Sequence, residues 1–203
     1  MRRTKAEAAE TRSSIIASAE RVFYDKGIAE TTLEDVARDA GVTRGAIYWH
    51  FANKTELLLA LYDSAPMPHE DMILRELQAN PDDPLSVLER TSASWLDEMS
   101  KDERRSRIYT ILFRCDYSPE MAGILQKQRE ADASSCQFLL TAFKGAYEKG
   151  QLASSWTPDV AARSFLWLMK GVYTDWLRFG MQFDLATEGG ACVKQLFSSF
   201  RRQ

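Results

Sequence analysis

The 203-residue sequence has few of the residues on which catalysis and metal binding usually depend. It contains two histidines and three cysteines, and the H-E-x-x-H, G-x-S-x-G and P-loop motifs are absent from it. The cysteines, Cys115, Cys136 and Cys192, are odd in number and widely spaced, which fits neither a zinc site nor a disulfide framework. We therefore expect reduced, packed thiols, no metal or other cofactor, and a protein that is not an enzyme.

Long hydrophobic runs are also absent. A run such as FLWLM, residues 165–169, is far shorter than the ~20 apolar residues that a membrane-spanning helix needs. The first ten residues, MRRTKAEAAE, do not resemble the apolar core of a secretory signal. These features predict a cytoplasmic protein without a membrane partner.

The composition does supply ample material for a helical core. Hydrophobic residues make up 45% of the chain and aromatic residues 11%. Almost no segment alternates polar and apolar residues with the period of two that is typical of strands, whereas apolar residues recur at spacings of three and four. The sequence therefore predicts an all-α protein of about nine helices.

Helix-capping residues divide the first 57 residues into short helices. The segment TRSSIIASAERVFYDKG has helical periodicity and ends at Gly27, which suits a helix C-terminus. Thr31, with Glu34 three residues later, predicts a capping box at the start of a second helix. Thr43 is placed to cap a short third helix, and Asn53 to cap a fourth.

The turn GVT, residues 41–43, joins the second and third of these helices. Two short helices joined by a glycine-containing turn are typical of the helix-turn-helix, whose second helix enters the major groove of DNA. In GVTRGAIYWHFANKTEL, Gly45 and Ala46 leave room for close approach, so that Arg44 can reach base edges. Tyr48 and His50 carry polar tips that suit phosphate oxygens.

An aromatic turn in the core of an ordinary helical bundle is the alternative interpretation of this segment, because short helix-turn-helix patterns also arise by chance. In the DNA-binding interpretation, Ile47 and Phe51 face inward onto the first two helices. The predicted DNA-contacting residues are those around the turn and at the neighbouring helix ends: Thr32, Thr43, Arg44, Gly45, Ala46, Tyr48, Trp49, His50 and Lys54.

Residues 11–57 closely resemble the N-terminal DNA-binding domain of the TetR family of bacterial repressors, most specifically through GVTRGAIYWHFANK. Further along, DPLSVLERT, RRSRIYTILFRCDYSPEM and DWLRFGMQFDL are similar to the C-terminal domain of the AcrR-like subgroup, which represses multidrug efflux operons. The resemblance implies a helix-turn-helix DNA-binding domain over residues 1–57 and a ligand-binding and dimerisation domain over residues 58–203.

The resemblance also implies what the protein does. A homodimer would bind a palindromic operator in double-stranded DNA, and small hydrophobic compounds would release it. Two alternatives stay open at this point. The chain could be a TetR-type regulator of a metabolic pathway, or a helical adaptor that binds other proteins and not DNA.

The helix predicted to start at Thr157 and Pro158 carries two apolar faces about 100° apart. A small domain buries one of them, so the other, together with the last helix, is expected to pack against a second copy of the chain. The resemblance implies the same arrangement, and the alternative is a monomer with a thick core. The residues predicted at the dimer interface are Phe165, Leu168, Val172, Trp176, Val193, Leu196, Phe197 and Phe200.

A cavity for the ligand among the helices of the C-terminal domain is implied by the resemblance. Each candidate side chain is by itself more typical of ordinary core. Asp116 and Glu120 are nearby acids that could attract a cationic ligand. The predicted pocket is largely apolar and aromatic and is lined by Met67, Ser92, Trp95, Tyr109, Leu112, Phe113, Leu139, Met169 and Tyr173.

Overall fold

A computed structural model of the protein describes residues 4–65, 69–115 and 118–202. In these residues the chain forms ten α-helices and no β-strand, which confirms the all-α prediction. The helices are α1 (Lys5–Lys26), α2 (Leu33–Asp39), α3 (Arg44–His50), α4 (Lys54–Asp63), α5 (His69–Ala79), α6 (Pro84–Lys101), α7 (Glu103–Phe113), α8 (Ala122–Glu148), α9 (Pro158–Arg178) and α10 (Gly190–Phe200). None of the helices described is long and apolar enough to span a bilayer.

Two compact units make up the described chain. The first comprises Met1–Pro66 with Arg104–Lys127, and the second comprises Met67–Glu103 with Gln128–Gln203. Residues beyond position 57 therefore contribute to the unit that contains α1–α4. The functional division of the chain at residue 57 stays a prediction.

The first helix begins earlier than its predicted segment. Thr4 is the N-cap of α1: its hydroxyl accepts a hydrogen bond from the Glu7 N–H at 3.2 Å, and the Glu7 carboxylate accepts one from the Thr4 N–H at 2.7 Å. This capping box lies in a polar stretch that carries no apolar periodicity, so the periodicity indicated the helix only from its buried part onward. That part is anchored by Ile15, Ala19 and Phe23, all buried.

The capping box of α2 lies one residue later than predicted. The Thr32 hydroxyl accepts from the Asp35 N–H at 3.1 Å, and the Asp35 carboxylate accepts from the Thr32 N–H at 3.2 Å. Thr31 is buried instead, and its hydroxyl donates to the Gly27 carbonyl at 2.6 Å, which closes the turn after α1. The predicted box of Thr31 and Glu34 was therefore wrong, and the Glu34 carboxylate makes other contacts.

The helix starts around the turn GVT agree with the sequence. Gly41 has φ of 65°, a left-handed conformation that glycine adopts without strain. The Thr43 hydroxyl accepts from the Ala46 N–H at 3.2 Å, and the Asn53 side chain accepts from the Glu56 N–H at 2.8 Å. These contacts confirm Thr43 and Asn53 as the N-caps of α3 and α4.

An aromatic cluster joins α8, α9 and α10 in the second unit. The ring of Phe200 lies 5.1 Å from that of Phe143 and 4.8 Å from that of Trp156, while Phe165 lies 5.2 Å from Phe197, all between centroids. These three pairs meet edge to face, the arrangement that aromatic quadrupoles favour. The cluster is the core on which the last two helices pack.

Gly189 lies where neighbouring helices of this unit approach closely. It ends the π-helical turn Leu185–Gly189 that leads into α10. A Cβ atom at Gly189 would lie 3.0 Å from Cγ1 of Val172 on α9 and 3.2 Å from Cδ1 of Leu96 on α6. Both neighbours are branched side chains, and Leu96 is fully buried, so an added methyl group would crowd them.

We expect Gly189→Ala to destabilise the protein by about 1–3 kcal/mol through overpacking. The matched control is Gly190→Ala, because Gly190 has helical dihedral angles and nothing within 4 Å of an added Cβ. Alanine there should be neutral or stabilising by up to ~1 kcal/mol. Urea unfolding followed by circular dichroism measures both, and equal midpoints for the two variants would contradict the close packing at Gly189.

Candidate functional site

The short helix α3 buries one side and exposes its aromatic residues on the other. Ile47 is buried, as is Phe51 just after the helix, as predicted. Tyr48 is 41% exposed and Trp49 is 73% exposed, which makes Trp49 the most exposed large hydrophobic side chain in the described residues. Such exposure argues against the alternative of an aromatic core turn.

Arg44 and Tyr48, one turn apart on α3, are both tied to Glu34 on α2. The guanidinium Nε of Arg44 lies 3.1 Å from Glu34 Oε1, and the Tyr48 hydroxyl donates to the same oxygen at 3.2 Å. The guanidinium also stacks on Tyr48, with its central carbon 5.6 Å from the ring centroid. The two predicted DNA-contacting side chains are thus held side by side on the exposed side of α3.

Small residues at the start of α3 leave open space beside these side chains. A Cβ at Gly45 would meet only the Thr43 hydroxyl oxygen, 4.0 Å away. Nothing inside the chain therefore requires glycine there, which fits a position approached from outside. Ala46 follows it at the same helix end, where the backbone N–H groups favour anions.

Thr32 and Thr43 both serve as helix N-caps, so their hydroxyls are engaged locally. The hydroxyl and backbone N–H of Thr32 both donate to the Asp35 carboxylate, which lowers the pKa of Asp35 to about 2. The stabilisation by this ionised carboxylate is present above the ordinary carboxyl pKa and is lost as the pH falls towards 2. Any DNA contact by these threonines would be made in addition to the cap.

His50 ends α3 next to the exposed tryptophan. Its ring centroid lies 4.5 Å from that of Trp49, edge to face, and 6.3 Å from that of Phe51. The imidazole therefore sits between the exposed and the buried aromatic residues. The contact of His50 with a phosphate of DNA stays a prediction.

Lys54 faces the protein rather than open solvent. Its ammonium donates to the carbonyl of Ile28 at 2.8 Å and to that of Thr31 at 3.3 Å, both in the turn between α1 and α2. The lysine thus ties the start of α4 to that turn. A phosphate contact by Lys54 would compete with these hydrogen bonds. No short-range sequence pattern indicates them, because the partners are 23 and 26 residues away.

The predicted ligand-binding residues of the second unit include an aromatic pair. Trp95 on α6 and Tyr173 on α9 are buried, with ring centroids 5.2 Å apart and the rings edge to face. Leu139 is buried and Met169 half-buried. Ser92 is also buried, but its hydroxyl donates to the Leu88 carbonyl of its own helix at 2.5 Å. The structure therefore gives Ser92 a partner within α6.

The remaining predicted ligand-binding residues belong to the first unit or lie outside the residues that the structure describes. The ring of Tyr109 is tilted against those of Phe113 and Tyr62, at centroid distances of 6.0 and 6.4 Å. Leu112 is buried, whereas Phe113 is 41% exposed. Met67 and Asp116 lie outside the described residues, as does the side chain of Glu120.

Five of the predicted dimer-interface residues are buried within the chain itself. Their side chains lie in the core of the second unit: Phe165, Trp176, Val193, Phe197 and Phe200. Leu168, Val172 and Leu196 are half-buried. Helical periodicity identified apolar positions correctly but could not show that the protomer itself covers most of them.

A different side of α9 is exposed. Val160, Ser164, Trp167, Gly171 and Thr174 recur at spacings of four and three, so they share one face. Val160 is about half exposed and Trp167 is 65% exposed. Trp167 was not among the predicted interface residues because it lies on neither of the two apolar faces. The feature that could have indicated this exposed surface was Trp167 itself, a large apolar residue outside both apolar faces.

The exposed helix α3, which follows α2 after the turn GVT, defines a helix-turn-helix of the kind that DNA-binding proteins carry. Residues 15–61 match the model for bacterial regulatory proteins of the tetR family. Residues 83–201 match the C-terminal region of MAATS-type transcriptional repressors. The chain belongs to the TetR family, whose members are DNA-binding transcriptional repressors without enzymatic activity.

Known relatives resemble the chain over almost its whole length. It is 36% identical over 202 residues to the HTH-type transcriptional repressor BepR of Brucella suis, covering 99% of this chain and 97% of the relative. NalD, the secondary repressor of the MexAB-OprM multidrug efflux pump in Pseudomonas aeruginosa, is 30% identical, with a TM-score of 0.87 over 98% of this chain and 100% of NalD.

A complex of SmeT with triclosan is also similar. It is 29% identical, with a TM-score of 0.82 over 96% of this chain and 93% of SmeT. SmeT is the repressor of the Stenotrophomonas maltophilia multidrug efflux pump SmeDEF.

Proposed function

We propose that this TetR-family repressor controls a multidrug efflux operon. A homodimer binds a palindromic operator and leaves it when a small hydrophobic or aromatic compound binds. The similarity to NalD and SmeT, both repressors of efflux pumps, supports the target, and the SmeT–triclosan complex supports the ligand class. Family membership sets aside the adaptor alternative. The protein would act in the cytoplasm, where the bacterial chromosome lies.

The observation that carries the DNA-binding proposal is the exposed pair of Arg44 and Tyr48 on α3, beside the open space at Gly45. Arginine recognises guanine through two parallel hydrogen bonds to base-edge acceptors in the major groove. The other predicted residues would contact the sugar-phosphate backbone of the DNA. These residues are Thr32, Thr43, Ala46, Trp49 and His50. Lys54 supports the arrangement by holding the turn before α2.

Arg44→Ala should chiefly remove sequence preference, by ~1–3 kcal/mol per lost bidentate base contact. The probes are the duplex that the wild-type protein enriches from a random-sequence library, called the operator duplex below, and a scrambled duplex of the same composition. Lys101→Ala, which removes one exposed positive charge from α6, is the control. Fluorescence anisotropy gives both affinities. An Arg44→Ala protein with the wild-type affinity ratio would refute the base-reading role.

The proposed ligand contacts within the second unit centre on Trp95 and Tyr173. Their edge-to-face pair is buried yet made of two planar rings, between or beside which an aromatic ligand can stack. Met169 is one turn before Tyr173 and only half-buried, and its flexible thioether adapts to different shapes. Leu139 adds apolar surface. The roles of Tyr109, Leu112, Phe113 and Met67 rest on the family resemblance.

Met169→Ala should weaken triclosan binding about tenfold, since lost methylene contacts in an apolar pocket have effects of this order. Met181→Ala, at an exposed methionine, is the control. Calorimetric titration with and without the operator duplex also tests linkage: the operator must weaken triclosan binding by the factor by which triclosan weakens operator binding. Unchanged triclosan affinity in Met169→Ala would place the ligand elsewhere.

The exposed face of α9 is the proposed centre of the dimer interface. Trp167 is flanked by Ser164 and Gly171, small residues that let a second helix approach closely, and Val160 extends the apolar surface. Tryptophans are frequent energetic centres of interfaces. Leu168, Val172 and Leu196 border this face as half-buried residues, and the fully buried aromatic cluster supports it from within.

Trp167→Glu should yield folded monomers at micromolar concentration in sedimentation velocity, because a two-fold interface would place two charges in its apolar centre. Monomers should also lose most operator affinity, since one helix-turn-helix reads half a palindrome. Tyr147→Glu, at a 58% exposed aromatic on α8, is the control that should remain dimeric. Dimers of Trp167→Glu that are as stable as the wild type would exclude this face.

A further inference from the structure

Glu34 occupies an unusual place for an acidic side chain in a DNA-binding protein. It lies in the first turn of α2, where the helix dipole favours a carboxylate, and it is about one-third exposed. It does not cap its own helix, because Asp35 fills that role. Its carboxylate instead faces the two side chains of α3 that would contact DNA.

The contact with Arg44 leaves the recognition edge of the guanidinium available in chemical terms. Glu34 Oε1 pairs with Nε, at 3.1 Å. A guanidinium has five N–H donors, and the two terminal amino groups that can form a bidentate contact with guanine are not part of this ion pair. The same carboxylate oxygen accepts from Tyr48, which fixes the second DNA-contacting group relative to the first.

This network is better suited to recognition than to stability. Arg44 is three-quarters exposed, and ion pairs of such side chains add little to folding. DNA binding removes water from the site and strengthens every electrostatic interaction in it. If Arg44 turns away to a phosphate, the Glu34 carboxylate is left without its ion pair beside a polyanion. Binding modes in which Arg44 contacts a phosphate instead of a base are therefore less favourable.

We propose that Glu34 is a specificity-determining positioning residue: it orients Arg44 and Tyr48 for reading the operator, and its charge disfavours DNA bound in any other way. The inference rests on the proposed DNA-binding function and adds to it the residue that sets discrimination. A purely structural link between α2 and α3 would behave differently, because its loss would weaken operator and scrambled duplexes by the same factor.

The test compares Glu34→Gln with Glu30→Gln, which removes the same charge from an exposed position in the loop before α2. Affinities for the operator duplex and the scrambled duplex are measured by fluorescence anisotropy at several salt concentrations. In Glu34→Gln we expect the ratio of the two affinities to fall roughly tenfold, mainly through tighter binding of the scrambled duplex. In Glu30→Gln the affinities for the two duplexes should change by the same factor, so their ratio should equal that of the wild type.

A double-mutant comparison shows whether Glu34 acts through Arg44. In an Arg44→Ala background, Glu34→Gln should leave the remaining affinity ratio unchanged, since the positioned group is gone. Glu34→Asp keeps the charge but shortens the side chain, so it should lower operator affinity without strengthening scrambled-duplex binding. The proposal is overturned if Glu34→Gln matches Glu30→Gln, or if its effect persists without Arg44. Failure of the wild type to enrich any duplex would instead refute the proposed function.

Discussion

The anchoring of α3 is the constraint on which the rest of the first unit depends. A helix of seven residues is not stable alone, because nucleation costs more than so few hydrogen bonds return. Its outward side must also stay exposed to meet DNA. The helix is therefore held by Ile47 and Phe51 on its buried side and by Thr43 at its start. The contacts of Arg44 and Tyr48 with Glu34 add a further link between α3 and α2.

Buried charge extends this anchoring along the first unit. Glu20 on α1 is almost fully buried, and its two carboxylate oxygens pair with Nε of Arg104 at 3.0 Å and Nε of Arg107 at 2.9 Å. Arg104 also donates to the carbonyl and hydroxyl of Ser64, at the end of α4. Ion pairs with one buried partner add little net stability, but they fix geometry, because losing the arginines would leave the buried carboxylate unpaired. This clamp explains why α7 belongs to the unit that carries α3.

Residue types and their spacing predicted the helix caps, the turns and the buried positions. They gave the wrong capping box where two boxes were equally possible. Thr31 and Thr32 are adjacent, and each has an acid three residues later, so both fit a capping box. The turn after α1 decides between them, because the Gly27 carbonyl accepts a hydrogen bond from the Thr31 hydroxyl. Periodicity similarly identified apolar positions on α9 without showing that Phe165 is covered by its own chain. Burial depends on distant partners, which a single sequence does not specify.

Net charge illustrates the same limit for the DNA-binding surface. Through Leu57 the basic and acidic side chains are equal in number, nine of each, so a count does not locate a binding face. In the structure, the lysine side chain of Lys54 points inward and donates to backbone carbonyls. The carboxylate of Glu34 contacts both Arg44 and Tyr48. The potential that DNA meets is therefore set by which charges are paired, and to what. If Arg44 and Tyr48 contact DNA as proposed, the Glu34 carboxylate beside them would reduce affinity for phosphates in general, and the remaining contacts would depend more strongly on sequence.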